Sequence, residues 1–379
     1  MKTLKTTMFV TACMAMMCAC TDQSTLGENQ GSNESNELVE LKINPSIALT
    51  RAAVTGTEGS ALGSIAVYSS GTENNYAIYE YTDGGSSWGA KGSDKIYLSK
   101  DAVTIFAYYP AYSDADNSTA LTINTTDPVT APGTSSTINV SLNEGNEGSA
   151  GDDNQIIVAS DGKGSINTTA KDIDYMYAVN AVDGGAPTAE TGVSESQQPT
   201  ANSTSSSVSL KMKHAMALVS FKVIKENYNN TGSLTKIVLK NTESNTTLNQ
   251  GDGQATMNIS SGNITLASTA KAATFTRFIC TGTSGSSTAG YTLKENANDS
   301  PAFSILTYPN ETADKSTVIV EVTIDKQTYS KALPNSSQAW AAGKNHVYTL
   351  KLSGKELGIT NVAIEPWGAD VPMGDVTLE

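Results

Sequence analysis

The sequence predicts an all-β protein built from sandwiches. Apolar and polar residues alternate in many short runs, clusters of Gly, Asn, Asp, Pro and Ser separate those runs, and none shows convincing helical periodicity. Short strands with frequent turn signals favour sandwiches over an α/β fold. At 379 residues the chain exceeds one usual domain and suits two sandwich-sized ones.

The first element is a targeting segment. Lys2 and Lys5 are followed by MFVTACMAMMCA, which is apolar but too short to span a bilayer as a mature helix. It ends in MCAC, where small Ala19 precedes Cys20 and the polar run TDQSTLGENQ follows. This is the pattern of a bacterial lipoprotein signal over residues 1–19, cut before a Cys20 whose thiol carries a diacylglyceryl group. An ordinary secretory signal that contains cysteines is the alternative. Cys13 and Cys18 leave with the signal, so Cys280 is the thiol left to the folded chain and no internal disulfide can form. Cys280 lies in ATFTRFICTG and reads as a small core residue.

Residues 21–36 are almost devoid of apolar side chains and read as a flexible tether. The character changes at Leu38. In ELVELKINPSIAL, Val39, Leu41 and Ile43 share a face, Pro45 follows, and Ile47 and Leu49 continue the apolar set. A period of two over this length is a half-buried strand. The small, turn-prone segment TRAAVTGTEG comes next, which leaves Arg51 accessible.

The remaining strands follow in order. GSIAVYSS, YAIYEYT, DKIYLS, AVTIFAYYP, LTIN, STINVSL and NQIIVAS belong to the first half. SVSLKMKHAMALVSFKVI, LTKIVLKN, TMNIS, NITLAS, ATFTRFIC, FSILTYP, STVIVEVTID, NHVYTLKL and TNVAIEPW belong to the second. The polar stretch 183–207 is a linker or a long loop, which places the domains at 52–207 and 208–379.

Composition removes several function classes. Lys+Arg of 24 against Asp+Glu of 38 gives a net charge of −14, so a basic nucleic-acid face is lacking and an anionic bilayer repels the folded part. Two histidines and four cysteines leave little for zinc or histidine-based hydrolysis. His214 lies in a run apolar on both faces and reads as a hydrogen-bonded core residue; His346 reads as a turn residue before a strand. YSDADNST lacks the glycine and twelfth-position glutamate of a calcium loop, GNEGSAGDDNQ reads as a solvated acidic loop, and TGTSGSSTAG lacks the lysine and strand-to-helix setting of a phosphate loop. No metal, no cofactor and no catalytic residue is expected, and the chain is read as not an enzyme.

Several segments together resemble the fimbrillins, which build the type V pili of Bacteroidales. They are the lipobox, a short alternating strand ending in TRA, FAYYPAY, DYMYA, LKMKHAMALVSFKV, WAAGKNHVYTLKLSGKEL and a closing IEPWG. The resemblance is spread from Cys20 to Gly368 and implies two transthyretin-like β-sandwich domains in tandem, after the signal and a propeptide strand. It implies a structural pilus subunit serving adhesion, delivered to the outer membrane as a lipid-anchored precursor. A trypsin-like surface protease would cut after Arg51, remove the propeptide 20–51 and leave Ala52 as the new N-terminus. The partners would be other pilin subunits and a host or bacterial surface ligand.

Physics explains why such a cut matters. Burying Val39, Leu41, Ile43, Ile47 and Leu49 is worth ~1.5–3 kcal/mol each, so losing the strand exposes a groove at a cost of up to roughly 8–15 kcal/mol. Unpaired backbone groups along the groove favour refilling by another strand. In the family a C-terminal strand of the next subunit does this, and the matching tail here is residues 369–379. There Val371 and Met373 form one pair two residues apart, and Val376 and Leu378 another. Pro372 and Gly374 interrupt the tail, and it ends on the charged Glu379. The alternative is a surface-retained binding module, an anchor, tip adhesin or glycan-binding lipoprotein that does not polymerise through its tail.

Overall fold

The computed structural model describes residues 38–47, 62–71, 74–82, 87–113, 117–124, 135–148, 150–151, 154–158, 171–180, 198–281, 290–312, 314–335 and 339–367. No α-helix occurs among them, and the protein is all-β.

In the first half, β1 (Val39–Glu40) and β2 (Lys42–Ile47) precede β3 (Ser64–Ser69), β4 (Tyr76–Thr82), β5 (Ser87–Ala90), β6 (Tyr97–Leu98) and β7 (Val103–Tyr109). Then come β8 (Thr137–Val140), β9 (Gln155–Val158), β10 (Met176–Asn180), β11 (Thr200–Ala201) and β12 (Ser207–His214). The second half opens with β13 (Ala217–Glu226), β14 (Ser233–Asn241), β15 (Ala255–Asn258), β16 (Ile264–Thr265), β17 (Thr274–Thr281) and β18 (Tyr291–Thr292). It closes with β19 (Phe303–Thr307), β20 (Val318–Ile324), β21 (Gln327–Ala332), β22 (Lys344–Ser353) and β23 (Glu356–Pro366).

One large sheet runs β2-β12-β10-β7-β3-β4-β5, with β11 added on β7. Its strands carry apolar residues on both faces. Ile65, Val67, Tyr79, Ile105, Leu210 and Met212 form one core with Leu41 and Ile43. Tyr68, Phe106 and Tyr108 point the other way, into a second core with Ile138, Val140 and Met257. A sheet covered on both faces loses the apolar-in, polar-out alternation, which is why segments such as VTIFAYY read as almost continuous apolar runs.

The second half packs the sheet β19-β13-β22-β23 against β21-β20-β14-β17-β9. Val219, Phe221, Tyr348 and Leu350 from the first meet Ile237, Leu239, Phe275 and Val320 from the second. The turn between β20 and β21 is Asp325-Lys326, both at positive φ, 48° and 67°, as a two-residue hairpin with the strand twist requires. Asp325 accepts from the backbone N–H groups of Gly232 and Ser233 and from the Tyr228 hydroxyl, which holds its carboxyl below the usual range despite partial burial.

One expectation is corrected here. The run LKMKHAMALVSFKV is not one strand. Its first part ends at His214 in the large sheet and its second begins at Ala217 in another. The switch is set by hydrogen bonds: Ala215 N–H donates to Tyr175 O at 2.8 Å, while Met216 O accepts from Gly343 N–H at 2.8 Å. Leu210 and Met212 therefore serve one core, and Met216 and Leu218 another. β12, which begins at Ser207, pairs with β10 and β2.

The two halves are further interlocked. β8 pairs with β15, and β9 pairs in parallel with β17. The buried Arg277 guanidinium closes this junction. It donates to Glu144 O at 3.1 Å, to Asn143 O at 2.7 Å and to Asp172 Oδ1 at 2.9 Å.

Candidate functional site

The N-terminal strand is the site the sequence singles out. The described part, Leu38–Ile47, splits its pairing between two walls. Val39 and Glu40 of β1 pair antiparallel with Leu98 and Tyr97 of β6. From Lys42 to Ile47 the chain pairs parallel to β12, in the register Lys42 with Ser207 through Ile47 with Met212. Between the walls, Leu41 N–H donates to Ile96 O at 2.9 Å and Lys42 N–H donates to Ser206 O at 2.8 Å.

Side chains follow the expected alternation. Leu41 is 1% and Ile43 7% exposed, Pro45 is buried, and Lys42 and Asn44 face solvent. Val39 and Ile47 are half-buried. Leu49 falls outside the described residues. So do Cys20, Arg51, Ala52, Val371, Met373, Val376 and Leu378.

Three further bonds fasten the strand. The Tyr79 hydroxyl donates to Leu41 O at 2.9 Å. Lys95 Nζ meets Glu40 Oε2 at 2.7 Å, partly exposed, and the Ser46 hydroxyl donates to Leu210 O at 3.3 Å. Burial, with Glu40 nearby, pushes the Tyr79 hydroxyl pKa well up, so it stays a donor. β2 is the terminal strand of its sheet, laddered to β12, and β1 makes the short pairing to β6. Leu41 and Ile43 pack in one core with Val208, Leu210, Met212, Ile96, Leu98 and Tyr79. β5 also lies against β2, and Trp88 and Ile47 each pack at the margin of this core.

The other singled-out residues are structural in placement. His214 is buried, with Nδ1 at 2.6 Å from Asp174 Oδ2, in keeping with a hydrogen-bonded core histidine. His346 is not in a turn. It lies inside β22, 1% exposed, and its Nε2 accepts from Ala341 N–H at 3.2 Å. Burial, then Lys315 and Lys344, hold its imidazole down to about 4. Sequence reasoning gave no sign of Lys315, which is fully buried 5.0 Å above the Trp340 ring and lowered by burial to about 8. Cys280 is buried in β17, near the Gln155 amide. A cavity of about 40 Å3 beside Trp340, Thr307 and Asn310 has room for water-sized occupants rather than a substrate.

The fimbrillin-like family model matches residues 50–367. The chain belongs to the fimbrillin-like family. Among solved structures, this fimbrillin-like chain is similar to a candidate cell adhesion protein from Bacteroides ovatus. They share 20% identity over 88% of this chain and 99% of that one, with a TM-score of 0.53, which shows a common fold. A fimbrial protein from Bacteroides vulgatus is similar at 13% identity over 86% and 99% of the two chains, with a TM-score of 0.49. A second candidate cell adhesion protein, from Bacteroides uniformis, is similar at 14% over 88% and 100%, also at 0.49. No curated protein matches this chain.

Proposed function

We propose that this fimbrillin-like chain is a structural subunit of a cell-surface pilus that serves adhesion. It is exported as a lipoprotein anchored at Cys20, cut after Arg51 by a trypsin-like protease, and polymerised by strand exchange. Its fold is read as two transthyretin-like sandwiches in tandem, interlocked by β8 and β9.

One observation carries the reading. The N-terminal strand is an apolar-in edge strand whose loss opens a slot with a free β12 ladder. Leu41 and Ile43 alone bury side chains worth ~1.5–3 kcal/mol each. A vacated slot of that kind stays costly until a strand of the same alternation fills it. Residues 369–379 of a neighbour are the proposed occupant. Addition of this kind is head-to-tail and gives a filament instead of a closed ring.

The test is the N-terminus of the protein recovered from the cell surface. Ala52 on material that electron microscopy shows as fibres supports the reading. A lipidated Cys20 on all surface protein would place the chain with retained binding modules instead.

A further inference from the structure

The end of β23 meets the end of β12. The His214 imidazole lies flat on the Trp367 indole, with ring centroids 4.3 Å apart and planes 6° from parallel. Asp174 Oδ2, 2.6 Å from Nδ1, fixes the rotation of the imidazole. The backbone makes the same junction. Trp367 N–H donates to Gly343 O at 3.3 Å, and Gly343 N–H donates to Met216 O at 2.8 Å. Gly343 sits at φ 69° with the His214 carbonyl 3.6 Å from where a Cβ would stand, so backbone conformation, not space, selects glycine. Trp367 is thus tied to the chain where β12 gives way to β13.

Two strands of opposite role meet at this point. β12 is the strand whose edge β2 occupies. Trp367 immediately precedes Gly368 and the tail 369–379 in the sequence. Resting on the strand-exchange reading, we propose that the His214–Trp367 stack is a pin that sets where the C-terminal tail leaves the subunit. Trp367 and His214 are then positioning residues for donating that tail to a neighbour. A tail with a fixed root has already lost directions that a loose one must lose on binding, so pinning speeds and tightens capture. Stacking by an imidazole held at its other edge suits this task, because the ring cannot turn away from the indole.

The test separates donor from acceptor. The donor is the Arg51→Ala chain, whose slot stays filled; the acceptor is a chain cleaved after Arg51 and lacking residues 369–379. One-to-one complex formation is followed by size-exclusion chromatography over time. Trp367→Ala in the donor should slow capture by about tenfold, while Trp367→Phe, which keeps a stacking ring, should stay within about twofold. His214→Gln in the donor should reproduce the loss. Trp367→Ala placed in the acceptor should leave capture of the unmodified donor unchanged. Equal capture of Trp367→Ala and unmodified donors overturns the pin, as does an equal loss from the acceptor variant. If the unmodified donor forms no complex at all, strand exchange through this tail fails, and the pin falls with it.

Discussion

Tyr79 donates its hydroxyl hydrogen to the backbone oxygen of Leu41 at 2.9 Å, inside the core that β2 closes. The bond comes from a β4 side chain and not from the ladder, so it holds Leu41 independently of the β12 pairing. The N-terminal strand is held by side-chain bonds that can be removed singly.

Tyr79→Phe should destabilise the uncleaved chain by about 1 kcal/mol, because the Leu41 carbonyl loses a buried partner. Denaturant unfolding of the Arg51→Ala form measures this, with faster amide exchange over residues 41–47 as the local sign. In a chain that has shed residues 20–51 the same change should cost less. An equal cost in both forms would show that Tyr79 acts elsewhere.

Arg51→Ala should give a surface protein that is unprocessed and monomeric, and Cys20→Ala should give precursor that takes up no fatty-acid label. Immunoblots of surface fractions and a clickable lipid probe read the two outcomes. Fibres built from Arg51→Ala would show that strand removal at this residue is not the trigger.

Deleting residues 369–379 should leave a folded subunit, still cut after Arg51, that caps a fibre without extending it. Polymer ladders on a gel, compared with the unmodified cleaved chain, decide the matter. Ladders of normal length would exclude this tail as the donor.

Arg277→Ala should cost on the order of 3–5 kcal/mol, since it removes the guanidinium that meets the buried Asp172 carboxylate, 1% exposed, at 2.9 Å. The Asn143–Glu144 segment should loosen with it, because the guanidinium also holds both of their carbonyls. Thermal unfolding and exchange at residues 143–158 would report the two effects together. A loss below about 1 kcal/mol, the scale of an exposed pair, would contradict this account.

Stability should fall as pH drops from about 6.5 to about 4 and then cease to depend on His346. The folded imidazole is held down to about 4, so over this window the unfolded chain binds the proton that the folded chain refuses. The span corresponds to roughly 3 kcal/mol at most. His346→Gln, which can still accept from Ala341 N–H, should flatten that part of the profile. An unchanged slope in this variant would assign it to other groups.

Strands that bury one face were legible in the sequence. β20 alternates buried and half-exposed along VIVEVTI, and β2 places Leu41 and Ile43 as its pattern demands. β21 left no such trace, because five of its six residues are exposed and its place comes from the Asp325-Lys326 turn. The change of sheet after His214 was hidden for the opposite reason. Apolar residues continue without a break through Ala215, Met216 and Ala217, although each part faces a different layer. Of the site, the N-terminal strand was readable but the residues it packs against were not. Tyr79 and Leu210 meet it across 38 and 164 positions of chain, and local pattern says nothing about such distances.

Among the described strands, β8 pairs with β15 and β9 with β17, and Gln155 reaches Cys280 across 125 positions. During synthesis from the N-terminus, the first half therefore reaches completion only after residues 255–281 have been made. Contacts of such long range slow folding, and until they form, the ribbon edges of β8 and β9 stay open to other copies of the chain. On the proposed strand-exchange reading, a subunit that joins strands with its neighbours must avoid doing so while it is still being made. Holding the nascent chain apart until its late strands arrive is the need this topology creates.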